Sequence, residues 1–175
     1  MLRNEDKTDW RPVAVLVKLP VQGSTVVLRE AMADDVPAIV ELLAADQLGA
    51  TRDGITTQED LQFYLRAFST LDTDPAHLLL VGTDGADVIV TMQLSFLPGL
   101  AHRGALCAQI EAVRVRKDYR SQGLGAAMFV WAIGEARRRG CALVQLTTDK
   151  SRQDAHRFYE RLGFSASHEG LKLKL

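Results

Sequence analysis

Arg120-Ser121-Gln122-Gly123-Leu124-Gly125, followed by Ala126, is the stretch of this chain best suited to hold an anion. Before it, Ile110, Ala112, Val113 and Val115 interleave with Glu111, Arg114 and Arg116, the alternation of a half-buried strand. After it, good helix formers continue to Arg139. A helix start leaves backbone N–H groups without intrahelical partners and carries the positive end of the macrodipole. Two glycines let a phosphate approach the backbone with no Cβ in the way. Arg116, Lys117 and Arg120 add cationic side chains around the loop. The expected guest is a diphosphate.

The motif is not that of the common nucleotide folds. A dinucleotide loop needs G-x-G-x-x-G directly after its strand. Here Met128 stands where the third glycine belongs, and seven residues separate Val115 from Gly123. The G-x-x-x-x-G-K-[ST] of a triphosphate loop is absent. The R-x-x-G-x-G that remains resembles the acyl-CoA-binding motif of the GNAT family of N-acetyltransferases. The strand I-E-A-V-R-V before it, the helix after it and F-Y-E-R-L-G-F at 158–164 strengthen the likeness. It is firm from about Ala105 to Phe164.

That resemblance implies an α/β (α+β) fold: a mixed, mostly antiparallel sheet with a central splayed parallel strand pair, flanked by about four helices. It implies acetyl-CoA as cofactor. The arm of the cofactor would lie along Val113, Arg114 and Val115, with Val113 N–H as oxyanion donor. Its diphosphate would lie on Arg120, Ser121, Gln122, Gly123, Leu124, Gly125 and Ala126. Arg152 stands where similar sequences have an asparagine, so a cofactor contact there is expected to be ionic or lost. The remaining phosphate has four candidate partners, Arg116, Lys117, Lys150 and Arg152.

Acyl transfer to an amine needs a base, because an alkylammonium of pKa about 10 has no lone pair at neutral pH. Glu111, on the strand that similar enzymes use for this, is the candidate, acting directly or through water. Strict alternation puts it on the face of Gln109 and apolar Val113, a facing that a bulge would change. A rim carboxylate paired to Arg114 or Lys117 is the competing reading. The departing thiolate benefits from a proton donor, and Tyr159, matching the family's frequent catalytic tyrosine, is the candidate acid and a cofactor contact. A packing tyrosine is its alternative.

The rest of the chain must position these groups. Its 175 residues suffice for one core, and a net charge of −1 excludes general attraction to nucleic acid or an anionic membrane. No apolar run approaches a membrane span, and the polar start is no signal peptide, so a cytoplasmic protein is expected. Cys107 and Cys141 form no metal or disulfide pattern, and no metal is expected. Residues 1–23 read as an N-terminal extension with an extra strand at Val13–Leu19, and 24–175 as a single domain beginning with the strand Ser24–Arg29. Pro20–Gly23 would be the hairpin turn.

Asp34 or Asp35 caps a first helix, and Thr57 a second that carries Leu61, Tyr64, Leu65 and Phe68. By family analogy the loop between them supplies acceptor contacts from Asp46, Gln47, Arg52 and Asp53. Strands follow at His77–Gly82, Val88–Leu97 and Ala105–Arg116, with a loop at Pro98–Gly104. Leu143–Thr148 runs parallel to the last of these. Arg152–Leu162 is helical, and Phe164–His168 and Leu171–Leu175 are expected closing strands. His102, His156 and His168 read as structural or exposed. The function expected is direct acetyl transfer, in a ternary complex, to the primary amine of a small molecule. The alternatives are a protein or peptide amine as acceptor, and a non-catalytic acyl-CoA sensor. A homodimer through the last strands or the N-terminal hairpin fits the pattern.

Overall fold

The computed structural model describes residues 15–21, 24–45 and 52–173. Six strands form one sheet in the order β1 (Val15–Val21), β2 (Ser24–Glu30), β3 (His77–Asp84), β4 (Asp87–Pro98), β5 (Leu106–Val115) and β6 (Cys141–Leu146). All neighbours are antiparallel except β5 and β6, which run parallel. The crossover between those two is α4 (Leu124–Arg138). The mixed sheet, the parallel pair and four helices of nine residues or more match the expected fold.

β1 continues past Leu19 through Pro20, which pairs with Thr25, so Pro20 lies in the strand rather than in the turn expected for it. β1 is an edge strand, where a proline's missing N–H can face outward without breaking the ladder. Leu19 joins Val26 and Leu28 in the main core, so the first β-run is part of the sheet.

Opposite faces of the sheet carry different helices. Toward α4 point Leu80, Met92, Leu94, Ala108 and Ile110, packed on Leu124, Met128, Phe129 and Ala132. Gly82 lies on this face because nothing larger fits: a Cβ there would come within 2.4 Å of Val90 Cγ1 and 2.9 Å of Val26 Cγ1. Toward α1 (Val36–Ala44) and α2 (Gln58–Thr73) point Leu79 and Val81, packed with Ile39, Leu43 and Phe68.

Thr57 caps α2 as expected. Its hydroxyl accepts from Asp60 N–H at 3.1 Å, and Asp60 Oδ2 accepts from Thr57 N–H at 2.9 Å. Asp35 precedes α1, but its carboxylate instead takes both Arg29 guanidinium nitrogens, at 2.6 and 2.8 Å, and Met32 N–H at 2.7 Å. Asp46 and Gln47 lie outside the described residues.

Two expectations fail. The 98–104 loop contains a helical turn, α3 (Ala101–Gly104). Among the described residues the closing strands are not formed: after α5 (Gln153–Arg161) the chain runs irregularly from Phe164 to Leu173, and Leu171 and Leu173 are 93% and 86% exposed. A short hairpin held by Glu169-Gly170 buries little unless it is docked on other apolar surface. Here Glu169 pairs instead with Lys150 at 2.9 Å.

Candidate active site

β5 shapes the site through one irregularity. Gln93 pairs with Glu111, yet Thr91, two residues back on β4, pairs with Arg114, three residues on. The extra residue is a bulge around Ala112, whose φ is +52°. Side-chain parity therefore changes within the strand. Gln109, Glu111 and Arg114 share the α1–α2 face, while Val113 and Val115 join Ile110 in the α4-side core. The conflict between Glu111 and its apolar alternation partner disappears in this way.

The parallel ladder ends where this irregularity begins. Its last pair is Ile110 with Leu146, and β5 continues from Glu111 to Val115 with no β6 residue beside it. The two parallel strands thus separate as expected. At the far end of β5 three elements converge. A Cβ on Gly125 would meet Phe158 Cζ at 3.6 Å and Val115 Cγ2 at 4.0 Å, so α5 and β5 both close on the start of α4.

Side chains brace the glycine loop from beneath. Arg120 Nε donates to Val115 O at 3.0 Å, Gln122 Nε2 to Asp118 O at 2.7 Å, and Tyr119 Oη to Asp84 Oδ2 at 2.7 Å. That last bond raises the Tyr119 pKa. Ser121 and Gly123 take left-handed conformations, φ +62° and +84°. Among the described residues no protein acceptor closes on the amides of Gln122, Gly123, Leu124, Gly125 or Ala126, and the first closed bond is Ala127 N–H to Gly123 O at 3.0 Å. A diphosphate fits such a row of donors at a helix start.

The cations around the loop differ from expectation. Arg116 holds Asp118 at 2.9 Å and Asp87 at 3.2 Å, which raises its own pKa and lowers that of Asp118. It is committed to carboxylates rather than to the loop. Lys150 is paired with Glu169, and Arg120 acts as a strut. Lys117 is exposed, and Arg152 lies close enough to Tyr159 to influence its titration.

Tyr159 sits on α5 among Phe129, Phe158 and Phe164, with ring centroids 5.4 to 6.1 Å away. Burial raises the pKa of its phenol, against the opposing pull of Arg152 and Arg114. The group therefore stays protonated throughout the neutral range. Among the described residues its hydroxyl has no hydrogen-bond partner. Glu111 is exposed and makes no ion pair among the described residues, so the expected alternative of a pair to Arg114 or Lys117 is not formed. Val113 O accepts from Arg114 Nη1 at 2.8 Å.

Around Glu111 the structure adds polar residues that motif reading passed over. Register places three cross-strand rows on the α1–α2 face: Val81–Thr91–Arg114, Leu79–Gln93–Glu111 and His77–Ser95–Gln109. The available signal was the alternation of Thr91, Gln93 and Ser95 with Met92, Leu94 and Phe96 along β4. Arg52 and Asp53, expected as acceptor contacts, lie 3.8 Å from each other. His156 bonds Asp149 O at 3.1 Å, and His168 bonds Ser167 at 2.8 Å.

Comparison with known proteins agrees with this geometry. The profile of the Acetyltransferase (GNAT) family matches residues 37–164. An aminoalkylphosphonate N-acetyltransferase from Salmonella typhimurium is 29% identical over 143 residues, 81% of this chain and 86% of that protein. A Bacillus halodurans C-125 structure described as a transcriptional regulator superposes with a TM-score of 0.81 at 43% identity, covering 86% of this chain and 99% of that one. A putative acetyltransferase from Agrobacterium tumefaciens follows with a TM-score of 0.74 at 28% identity, covering 85% and 99%. The chain belongs to the GNAT family and is an N-acetyltransferase that takes its acetyl group from acetyl-CoA.

Proposed function

We propose that the enzyme acetylates the primary amine of a small molecule, by direct transfer within a ternary complex. The bulge at Ala112 is the observation that carries this reading. It leaves Glu111 on the α1–α2 face and turns Val113 and Val115 to the side of the glycine loop, so that base and cofactor seat flank one strand. The Salmonella relative, named for an aminoalkylphosphonate, supports a small amine as acceptor.

The chain's own groups divide the work. The amides from Gln122 to Ala126, with Arg120 bracing them, bind the diphosphate, and the α4 macrodipole adds to their pull. Val113, Arg114 and Val115 line the arm of the cofactor, and Ser121 shapes the turn. Lys117 and Arg152 are the cations for the remaining phosphate. Acetyl-CoA supplies an acyl group already activated as a thioester. Glu111, directly or through one water, accepts the ammonium proton and so frees the lone pair. Tyr159 Oη holds a proton for the leaving sulfur.

Release of free thiol from acetyl-CoA, measured across a panel of small amines that includes aminoalkylphosphonates, tests this, with acetyl mass gain on the amine as confirmation. Turnover is expected with at least one of them. Glu111→Gln should lower kcat about 100-fold while leaving the KM for acetyl-CoA near its starting value. Acetyl-CoA binding without thiol release on any amine would overturn the reading.

A further inference from the structure

Behind Glu111 a chain of polar contacts crosses three elements. Gln93 Nε2 donates to Ser95 Oγ at 3.4 Å, and Ser95 Oγ lies 2.9 Å from His77 Nδ1. His77 Nε2 lies 3.8 Å from Asp74 Oδ2, just past the end of α2. Ser95 is only 5% exposed and His77 half-buried, so these polar groups are largely removed from water.

Proton counting gives the chain a direction. A carboxylate beside Nε2 favours the tautomer with its proton there, which leaves Nδ1 an acceptor. Ser95 has one hydroxyl proton and gives it to Nδ1. Its oxygen lone pairs are then left to accept, and they do so from the amide nitrogen of Gln93. That fixes which way the Gln93 amide faces: nitrogen toward Ser95, carbonyl oxygen turned away. The residue across from Gln93 on β5 is Glu111, on the same face of the sheet. Two acceptors, one charged and one neutral, thus stand opposite each other where β5 begins to bulge.

We infer that Gln93 is the residue that orients the acceptor, its carbonyl oxygen accepting one N–H of the amine while Glu111 takes another, and that Ser95, His77 and Asp74 are positioning residues that hold its amide in that sense. The inference rests on the reading of this face as the amine site. The ligand class it selects is an amine presenting two N–H donors at once. A tertiary amine, with one N–H even when protonated, satisfies only one of the two acceptors.

Steady-state kinetics on the full chain separate this from a structural role. Gln93→Met keeps side-chain volume and removes the acceptor. It should raise the KM for the amine about tenfold, with kcat and the KM for acetyl-CoA within about twofold of wild type. Ser95→Ala should raise the amine KM by a smaller factor, about threefold, and Ser95→Thr, which restores the hydroxyl, should return it toward wild type. An amine KM unmoved by Gln93→Met overturns the inference. So does equal impairment in Ser95→Ala and Ser95→Thr, which would mark the site as one of packing. Absence of amine turnover in the wild type would instead sink the proposed function, so the two failures are distinguishable.

Discussion

Toward α4, the end of β5 presents Val113 and Val115 and leads into backbone amides at a glycine turn. Toward α1 and α2, the same strand presents Gln109, Glu111 and Arg114 beside Gln93, Ser95 and His77. The first side is made largely of main chain and apolar packing, and the second of side-chain functional groups drawn from three strands. In the proposed reading, main-chain donors recognise what every substrate pair in such an enzyme shares, the phosphates of the cofactor. Side chains distinguish one acceptor from another. The lesson is that a strand with a single bulge can separate the general part of a reaction from the specific part. Substitutions on the two sides should therefore move different kinetic constants.

The largest effect is expected at the phenol proposed to serve the cofactor side. Tyr159→Phe keeps the ring packed on Phe129, Phe158 and Phe164 and removes only the hydroxyl. It should lower kcat by about 100- to 1,000-fold with the fold intact. The pH dependence has a definite sign. A phenol donates only while protonated, and burial raises its pKa above the ordinary value of 10.0. Loss of this proton should therefore not depress kcat below about pH 10. A kcat in Tyr159→Phe within threefold of wild type would assign the hydroxyl no part in proton transfer.

A smaller effect, confined to the same side, is expected at Gly123. Its φ of +84° disfavours any residue with a Cβ, although no atom stands within 4 Å of where that Cβ would be. Only backbone conformation is therefore at stake. Gly123→Ala should cost about 1 kcal/mol of stability and raise the KM for acetyl-CoA about tenfold as the amides lose their aim. The amine KM should not move. A shift in both constants would show that the two sides are not separable.

The same division explains what the amino-acid sequence discloses. The glycine loop, α4 and the order of the strands are legible because each is local: R-x-x-G-x-G is contiguous, and Ile110, Val113 and Val115 sit a few residues from it. The placement of the bulge is not legible, because the residue that takes the left-handed turn is Ala112, which carries no signal for it. The row His77–Ser95–Gln109 is assembled only by register across β3, β4 and β5, so its members are up to 32 positions apart in the chain. The alternation in Leu171-Lys172-Leu173-Lys174-Leu175 does suggest a strand. A strand also needs a partner, and alternation alone does not specify one.

The smallest effect concerns the helices that stand on the two sides. α2, on the acceptor side, begins with a reciprocal cap in which Asp60 Oδ2 accepts from Thr56 and Thr57 amides and from the Thr56 hydroxyl, at 3.0, 2.9 and 2.7 Å. The hydroxyl bond of Thr56 and then these amides hold the Asp60 pKa down at about 2, against an ordinary 3.8. A carboxyl depressed in the folded state contributes stability above its unfolded pKa and loses it as the pH falls through the folded one. Amide exchange in the first turn of α2, taken relative to the intrinsic rate at each pH, should therefore accelerate between about pH 4 and pH 2, and Asp60→Asn should reproduce part of that loss at neutral pH. α4 starts at a glycine with no acidic residue in its first turn. Its amides should show no such acid-dependent step over that interval, since the donors at its head await an anion the protein does not itself provide. Acceleration of both helices together would mean that acid acts on the whole fold and that the cap of α2 is not the group responding.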